Sequence, residues 1–530
     1  MTPRRRIDEP TGELPDSVAL ADFLDSAEPL EEEARYELVE QALLLLEGAY
    51  VHLRLKRAMH AVDPVQRLRL LARRMDALSD LQFHSELAAI FRGLRDLHTV
   101  YQLPDPYRGH VATLGFLVER YRDDDGDSHH LITKLDPRLE APGFEPGAEL
   151  LTWNGIPIGR AIELTAERQA GSNPAARLAR GLEALTLRPM RTGPPPDEHW
   201  VVIGYRPPGG RARELRLPWR VVAAETLRSG RAQDPVSTIS AVLGIDTGNE
   251  ATRQIKRKLF ARPRAARAAR PRALPAVLDH RTLRIRRRSI GYLRLFSFNV
   301  AGARRFLEQL ADVLAALPQD GLIVDIRANP GGHIPAAEGA LQLLRGEPIV
   351  PARFSLATTP LVLDLCRTNP AFARWAASVD NAVETGEPFS QPLPLSEPQQ
   401  LAEGLPRYRG PVVLITDALS YSAADMFAAA FQDNQLGRIL GTASHTGAGG
   451  ANVWTHELLR LWLPDTLGPL PAGTSFRVAL RSSKRVNERE GVPLEDLGVE
   501  ADHLHELTRR DITGRNQDLL ATAAGLLREA

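Results

Sequence analysis

Through the first hundred residues, apolar positions recur at the three-to-four-residue spacing of helices. The runs VEQALLLLEGAYVHLRLKRAM, PVQRLRLLARRMDALSD and LQFHSELAAIFRGLRDL each carry one apolar face. They predict an all-α N-terminal region over 19–105. A polar, proline-bearing tail, 1–18, precedes it and is expected to be disordered. After Leu103-Pro104 the period shortens. ATLGFLVERY alternates as a strand does, DDDGD supplies a hairpin turn, and HHLITKL reads as the returning strand. A glycine turn, a short strand, an Asn154-Gly155 turn and an amphipathic helix follow in GFEPGAELLTWNGIPIGRAIELTAERQA. VVIGYRPPGGRARELRLPWRVV then closes a β-rich module expected over 106–223.

A third texture begins at Ser289. IGYLRLFSF, GLIVDIRAN and GPVVLITDA are apolar, β-prone and bounded by turn residues. They alternate with the helical runs GARRFLEQLADVLAAL, PAAEGALQLL and SAADMFAAAFQD. Such alternation predicts a layered α/β core over 289–510, with DITGRNQDLLATAAGLLREA as a closing helix over 511–530. Between module and core, 224–288 is dense in Arg, Ala and Pro and reads as a basic insertion or linker. Its charge would suit an anionic surface, but aromatic residues for base stacking are scarce there.

Composition narrows the function classes. With 530 residues, 43% hydrophobic and 25% charged, the chain has the profile of a soluble multidomain protein. Its formal net charge is zero, so no nucleic-acid partner is expected. The N-terminal arginines are followed by no apolar stretch, and the longest apolar run nearby, Ala42 to Leu46, is far below bilayer length. A cytoplasmic protein without a membrane partner is the expectation. The single cysteine, Cys366, makes no intramolecular disulfide and shows no activating surroundings. His503 and His505 have a metal-ligand spacing but no third ligand motif, so no metal or other cofactor is expected.

Two strand–turn–helix segments carry the candidate chemistry. In GPVVLITDALSYSAADMFAAAFQDN an apolar strand leads through a short loop to Ser422 at a helix start. The serine either caps that helix, with Asp425 completing a capping-box-like pair, or serves as a nucleophile. In the second case the Ala423 amide and the positive helix end would steady an oxyanion. In GLIVDIRANPGGHIPAA a strand runs into Asn329-Pro330-Gly331-Gly332. The glycines make a tight turn, or let backbone amides approach a reacting carbonyl.

Together, DIRANPGG and, about ninety residues later, SYSAADMFAAAFQDN resemble the paired motifs of the C-terminal-processing (tail-specific) serine peptidases and their tricorn-core relatives. The resemblance implies a crotonase-like catalytic core with Ser422 as nucleophile. It further implies an oxyanion hole from Ala423 and Gly331 or Gly332, and Asp433 as a supporting residue. The better-known branch takes a lysine 25 residues after the serine as base. Here that position is Gly447, and no lysine lies in the loop GTASHTGAGGANVW. The tricorn-like branch uses a distant histidine and an acid. LRDLHT offers His98 and LEDLGVEAD offers Glu495, with Asp496 and Glu500 as neighbouring carboxylates. A histidine is the natural base near neutral pH, and a carboxylate fixes its tautomer. His445, in the loop that carries the lysine elsewhere, is the alternative base.

The module before the insertion resembles a PDZ domain. Leu114-Gly115-Phe116 would be its carboxylate-holding loop, and GAELLTWNGIPI its Asn-Gly hairpin. The implied activity is endopeptidase cleavage of unfolded or C-terminally exposed polypeptides through an acyl-enzyme, with a homo-oligomer left open. An inactive peptide-binding protein of the same fold and a small-molecule esterase are the alternatives.

Overall fold

Leu322–Asp325 and Val412–Thr416 are buried at every position, and their near-continuous apolar sequence places them at the centre of a parallel sheet covered on both faces. The sheet is six-stranded, in the order Leu278–Ile285, Arg288–Leu295, Leu322–Asp325, Val412–Thr416, Gly437–Gly441 and His503–Leu504. Only the first pair is antiparallel. Alternate side chains serve two cores. Leu322, Val324, Val412 and Leu414 join the main core, which also takes in the helices Ala303–Ala316, Ile334–Leu343 and Ala423–Asp433. Ile323, Val413 and Ile415 face the closing helix Gln517–Leu526 on the other side. The layered α/β core expected from the sequence is thus present. This computed structural model describes residues 7–528 apart from 13, 15, 28, 224–251, 253–254, 257–258, 261–276, 286–287 and 472.

A second sheet lies beside the first. Ser475–Lys484 is its long central strand, flanked by Arg353–Leu356 and Ala451–Thr455. Val100–Gln102 also pairs with it, Phe476 opposite Tyr101. This strand lies inside the region read as all-helical. Its three residues, VYQ, are too few to declare a period, and a distant partner decides them.

The helical region otherwise follows the sequence, with helices Glu32–Gly48, Leu53–His60, Pro64–Ala72 and Asp80–Arg92. Ser79 and Gln82 form a capping box at the last of these.

Two boundaries need correction. The tail 1–18 is not disordered over its described residues: Ile7–Asp8 adds a parallel strand to Arg213–Pro218, and Ser17–Ala19 pairs with Arg220–Ala223. Polar composition hid this, because the module's sheet edges supply the partners. The core begins at Leu278 rather than 289, since Leu278–Ile285 is its edge strand. The centre of the 224–288 insertion lies largely outside the described residues. Among the described residues no helix is long and apolar enough to cross a membrane.

Candidate active site

Because Leu322–Asp325 and Val412–Thr416 are parallel neighbours, with Asp325 opposite Ile415, the turns that follow them emerge side by side. Several anchors shape the first turn. Burial alone would raise the Asp325 carboxyl, but the Arg327 and Arg294 guanidiniums hold it down at about 2. The Ala328 amide donates to Asp417 Oδ1 at 2.8 Å, and the Tyr421 amide to the Asn329 carbonyl at 2.9 Å, joining the two turns. Asn329 Oδ1 accepts from the Gly331 amide at 2.9 Å. At Gly331 φ is +92°, and a Cβ there would lie 2.6 Å from Ser422 Cβ and 2.7 Å from the Ala423 nitrogen. No residue with a side chain fits. Gly332 pairs with Phe298 in a parallel bridge that does not use its own amide. The amides of Gly332 and Ala423 therefore have no hydrogen-bond partner among the described residues, whereas that of Gly331 is occupied.

The second turn ends in a strained elbow. Ser422 adopts φ 61° and ψ −123°, a conformation costly for any residue with a Cβ, at the start of helix Ala423–Asp433. Its amide donates to Asp425 Oδ2 at 2.8 Å. Asp425 also accepts from the amides of Ala448 at 3.0 Å and Gly449 at 2.8 Å, fastening the loop 446–450 to the elbow. Burial pushes its carboxyl up to about 6 against the pull of these donors. The loop lies so close that a Cβ on Gly447 would meet Tyr421 Cδ2 at 2.8 Å.

The imidazole arrives from the helical region. His98 is buried, and its amide donates to Asp96 Oδ1 at 2.7 Å. Thr99 Oγ1 donates to Asp96 Oδ2 at 3.0 Å and accepts from the Ala479 amide at 3.1 Å, locking this corner onto the catalytic core. The His98 ring packs 4.7 Å from that of Tyr421, with the Tyr421 hydroxyl 3.3 Å from Nδ1. Glu495, fully buried, accepts from Lys56 Nζ at 2.6 Å, Ser172 Oγ at 2.9 Å and the Gly450 amide at 3.1 Å. Burial pushes its carboxyl up to about 8, with Lys56 pulling the other way. Asp96, His98 and Glu495 each bring one polar atom within 4.8 Å of the other two. The Lys56 ammonium already supplies this set with positive charge, which suits proton-transfer chemistry rather than a bound cation.

Residues 289–502 match peptidase family S41, and residues 110–227 match a PDZ domain. The chain is a serine-type peptidase whose catalytic region matches family S41. Among solved structures, mature CPAF is 17% identical over 94% of this chain and 99% of its own, at a TM-score of 0.65. CPAF complexed with lactacystin is 16% identical over 94% and 100%, at 0.64. The photosystem II D1 C-terminal processing protease is 15% identical over 94% and 98%, at 0.39. At such identities the CPAF likeness speaks for the fold. No curated protein sequence matches the chain.

The peptidase thus brings Ser422, Ala423, Gly331, Gly332, His98 and Glu495 into one region and leaves other expected residues outside it. Asp433 closes the same helix about 15 Å from Ser422. There it is buried and paired with Arg485 Nε at 2.9 Å, so it holds the helix end rather than the site. His445 has Ser444 as its hydrogen-bond partner and bridges to Glu500. The Leu114-Gly115-Phe116 loop is closed as a carboxylate holder. Leu114 donates its amide to the Thr186 carbonyl, Gly115 donates its own to Thr113 Oγ1, and Leu14 of the N-terminal segment covers the glycine. His505 is half-buried and meets Asp511 at 2.7 Å.

Sequence reasoning missed Lys56, Asp96 and Tyr421. Asp96 lay within the quoted LRDLHT motif and Tyr421 beside the serine. Lys56 gave no local signal, since its carboxylate partners are more than four hundred residues away.

Proposed function

We propose that this peptidase is an endopeptidase with Ser422 as nucleophile, His98 as general base and Glu495 as the carboxylate that steadies the imidazolium. Base and acid of this kind are those of the tricorn-like branch. The observation that carries the reading is the packing of a buried imidazole, His98, against Tyr421, the residue immediately before the serine elbow. The alternative, His445, has no comparable contact, and Gly447 leaves no room for a lysine.

Catalysis would run as follows. Ser422 Oγ attacks the scissile carbonyl while His98 takes its proton. The carbonyl oxygen becomes an oxyanion held by the Gly332 and Ala423 amides at the positive end of helix Ala423–Asp433. His98 returns the proton to the departing amine, leaving an acyl-enzyme on Ser422. Water, deprotonated by His98, then releases the acid and restores the serine. Glu495, once ionised, offsets the charge that appears on His98. The half-buried serine lies where the helical region, the PDZ module and the core meet, which favours an extended, unfolded polypeptide as substrate.

The test is turnover of an unfolded protein together with labelling by a fluorophosphonate probe. Ser422→Ala and His98→Ala should each lower kcat by about a thousand-fold or more, and His445→Ala by less than about three-fold. Loss in His445→Ala with activity retained in His98→Ala would overturn the assignment. Faster turnover of simple esters than of any polypeptide would favour an esterase. Equal cleavage of free and amidated C-termini would argue against tail specificity.

A further inference from the structure

Lys56 lies on helix Leu53–His60 with its side chain wholly buried. Its Nζ reaches Glu495 Oε1 at 2.6 Å, Asp496 Oδ1 at 2.7 Å and the Arg95 carbonyl at 3.4 Å. Both carboxylates are as inaccessible as the ammonium. Burying an ammonium costs several kcal/mol before its partners offset it, and an apolar residue would serve packing alone better. The charges around it explain its presence. Asp96, Glu495 and Asp496 crowd one interior region, faced by His98, His52, Tyr50 and Tyr421. His60 meets Asp496 at 3.0 Å and is met by Arg95 at 3.2 Å from its other nitrogen. Without a cation here, Glu495 would face two like charges in a dry site, and its carboxyl would rise further still. A protonated Glu495 cannot offset an imidazolium.

We propose that Lys56 is a positioning residue for peptide hydrolysis, supplying the countercharge that lets Glu495 serve His98 as a carboxylate. The inference rests on the Ser422–His98–Glu495 reading. Asp496 shares the ammonium and so competes with Glu495 for it. The two substitutions around Lys56 therefore act in opposite directions. Removing the ammonium makes Glu495 harder to ionise, and neutralising Asp496 makes it easier.

The experiment is the pH profile of kcat/KM on an unfolded polypeptide for the full chain and three variants, with folding checked by circular dichroism. In Lys56→Met the acidic limb should move up by about one unit or more. Activity near neutrality should fall about ten-fold and recover in part at alkaline pH. In Asp496→Asn the limb should move down, by about half a unit. Uniform loss at every pH in Lys56→Met would reduce the lysine to a structural role and overturn the inference. If Lys56→Met does not fold, an unmoved limb in Asp496→Asn does the same. Glu495→Gln separates the two readings. Full activity there sinks the triad itself, whereas impaired Glu495→Gln with unmoved limbs in the other two sinks only the role of Lys56.

Discussion

Ser422 holds its strained backbone because its neighbours leave no alternative. Its amide is bound by Asp425, and the Gly331 turn touches its Cβ. Gly331 is therefore the most sensitive position around the elbow that carries no functional group. An alanine there would bear an unfavourable positive φ and press into the Ser422 Cβ and the Ala423 nitrogen. Gly331→Ala is expected to lower kcat by about a hundred-fold with KM little changed, read from steady-state turnover. Tyr421→Phe tests a gentler contact. It removes only the hydroxyl that meets His98 Nδ1, leaving the ring against the imidazole. A fall in kcat of about three- to ten-fold is expected, and unchanged kcat would show that ring packing alone orients His98.

The helix Ile334–Leu343 shows how an element is held to the site at a cost. It follows the Gly331-Gly332 turn directly, and every residue from Ala336 to Leu343 is buried. Glu338 in its middle is fully inaccessible. It accepts from the Ala352 amide at 3.1 Å and from Ser396 Oγ, fixing the helix to the 349–352 segment and to residue 396. Burial pushes its carboxyl up to about 7, only partly offset by those donors. Because the folded value lies above the unfolded one, the group's stabilising contribution is complete below about pH 4.5. It is lost as pH rises through 7. Glu338→Gln keeps the shape and both contacts without the charge. It is expected to gain on the order of 2 kcal/mol at pH 8 and nothing at pH 4, measured by denaturant unfolding at both values. The sequence made this helix and its neighbours legible, because long runs such as GARRFLEQLADVLAAL and short apolar strands such as VVLIT carry their own period. Ile7–Asp8 and Val100–Gln102 were not legible. A two- or three-residue strand exists only through its partner, and those partners lie hundreds of residues away.

Across the whole molecule, Glu495 is the point where three regions meet. Lys56 reaches it from the helical region, Ser172 from the PDZ module and the Gly450 amide from the catalytic core. Its candidacy, like that of Ser422, Gly332 and His98, could be read from motifs. What surrounds it could not, since no spacing rule links Lys56 to Glu495 or Ser172 to either. Asp433 and the Leu114-Gly115-Phe116 loop show the opposite failure, a matched motif whose side chains or amides are committed elsewhere. The convergence has a measurable consequence. Ser172 sits just before helix Pro174–Ala184, whose cap, Asn173, also donates to the Thr446 carbonyl at 2.8 Å, so the PDZ module is pinned to the site by two adjacent side chains. Removing the Ser172 hydroxyl takes one neutral donor from a buried carboxylate that Lys56 still holds. That donor is worth about 1 kcal/mol in the transition state, where Glu495 faces the imidazolium. Ser172→Ala should therefore lower kcat by about five-fold, with KM and thermal stability nearly unchanged. Thr99→Val should behave differently. It strips the Ala479 amide and Asp96 of their shared partner, so unfolding should become easier by about 1–3 kcal/mol along with a loss of kcat. If both variants lost stability and activity in the same proportion, the junction would be acting as one packed block. A Ser172→Ala effect confined to kcat would instead mean that the PDZ module contributes to the charge balance of the active site.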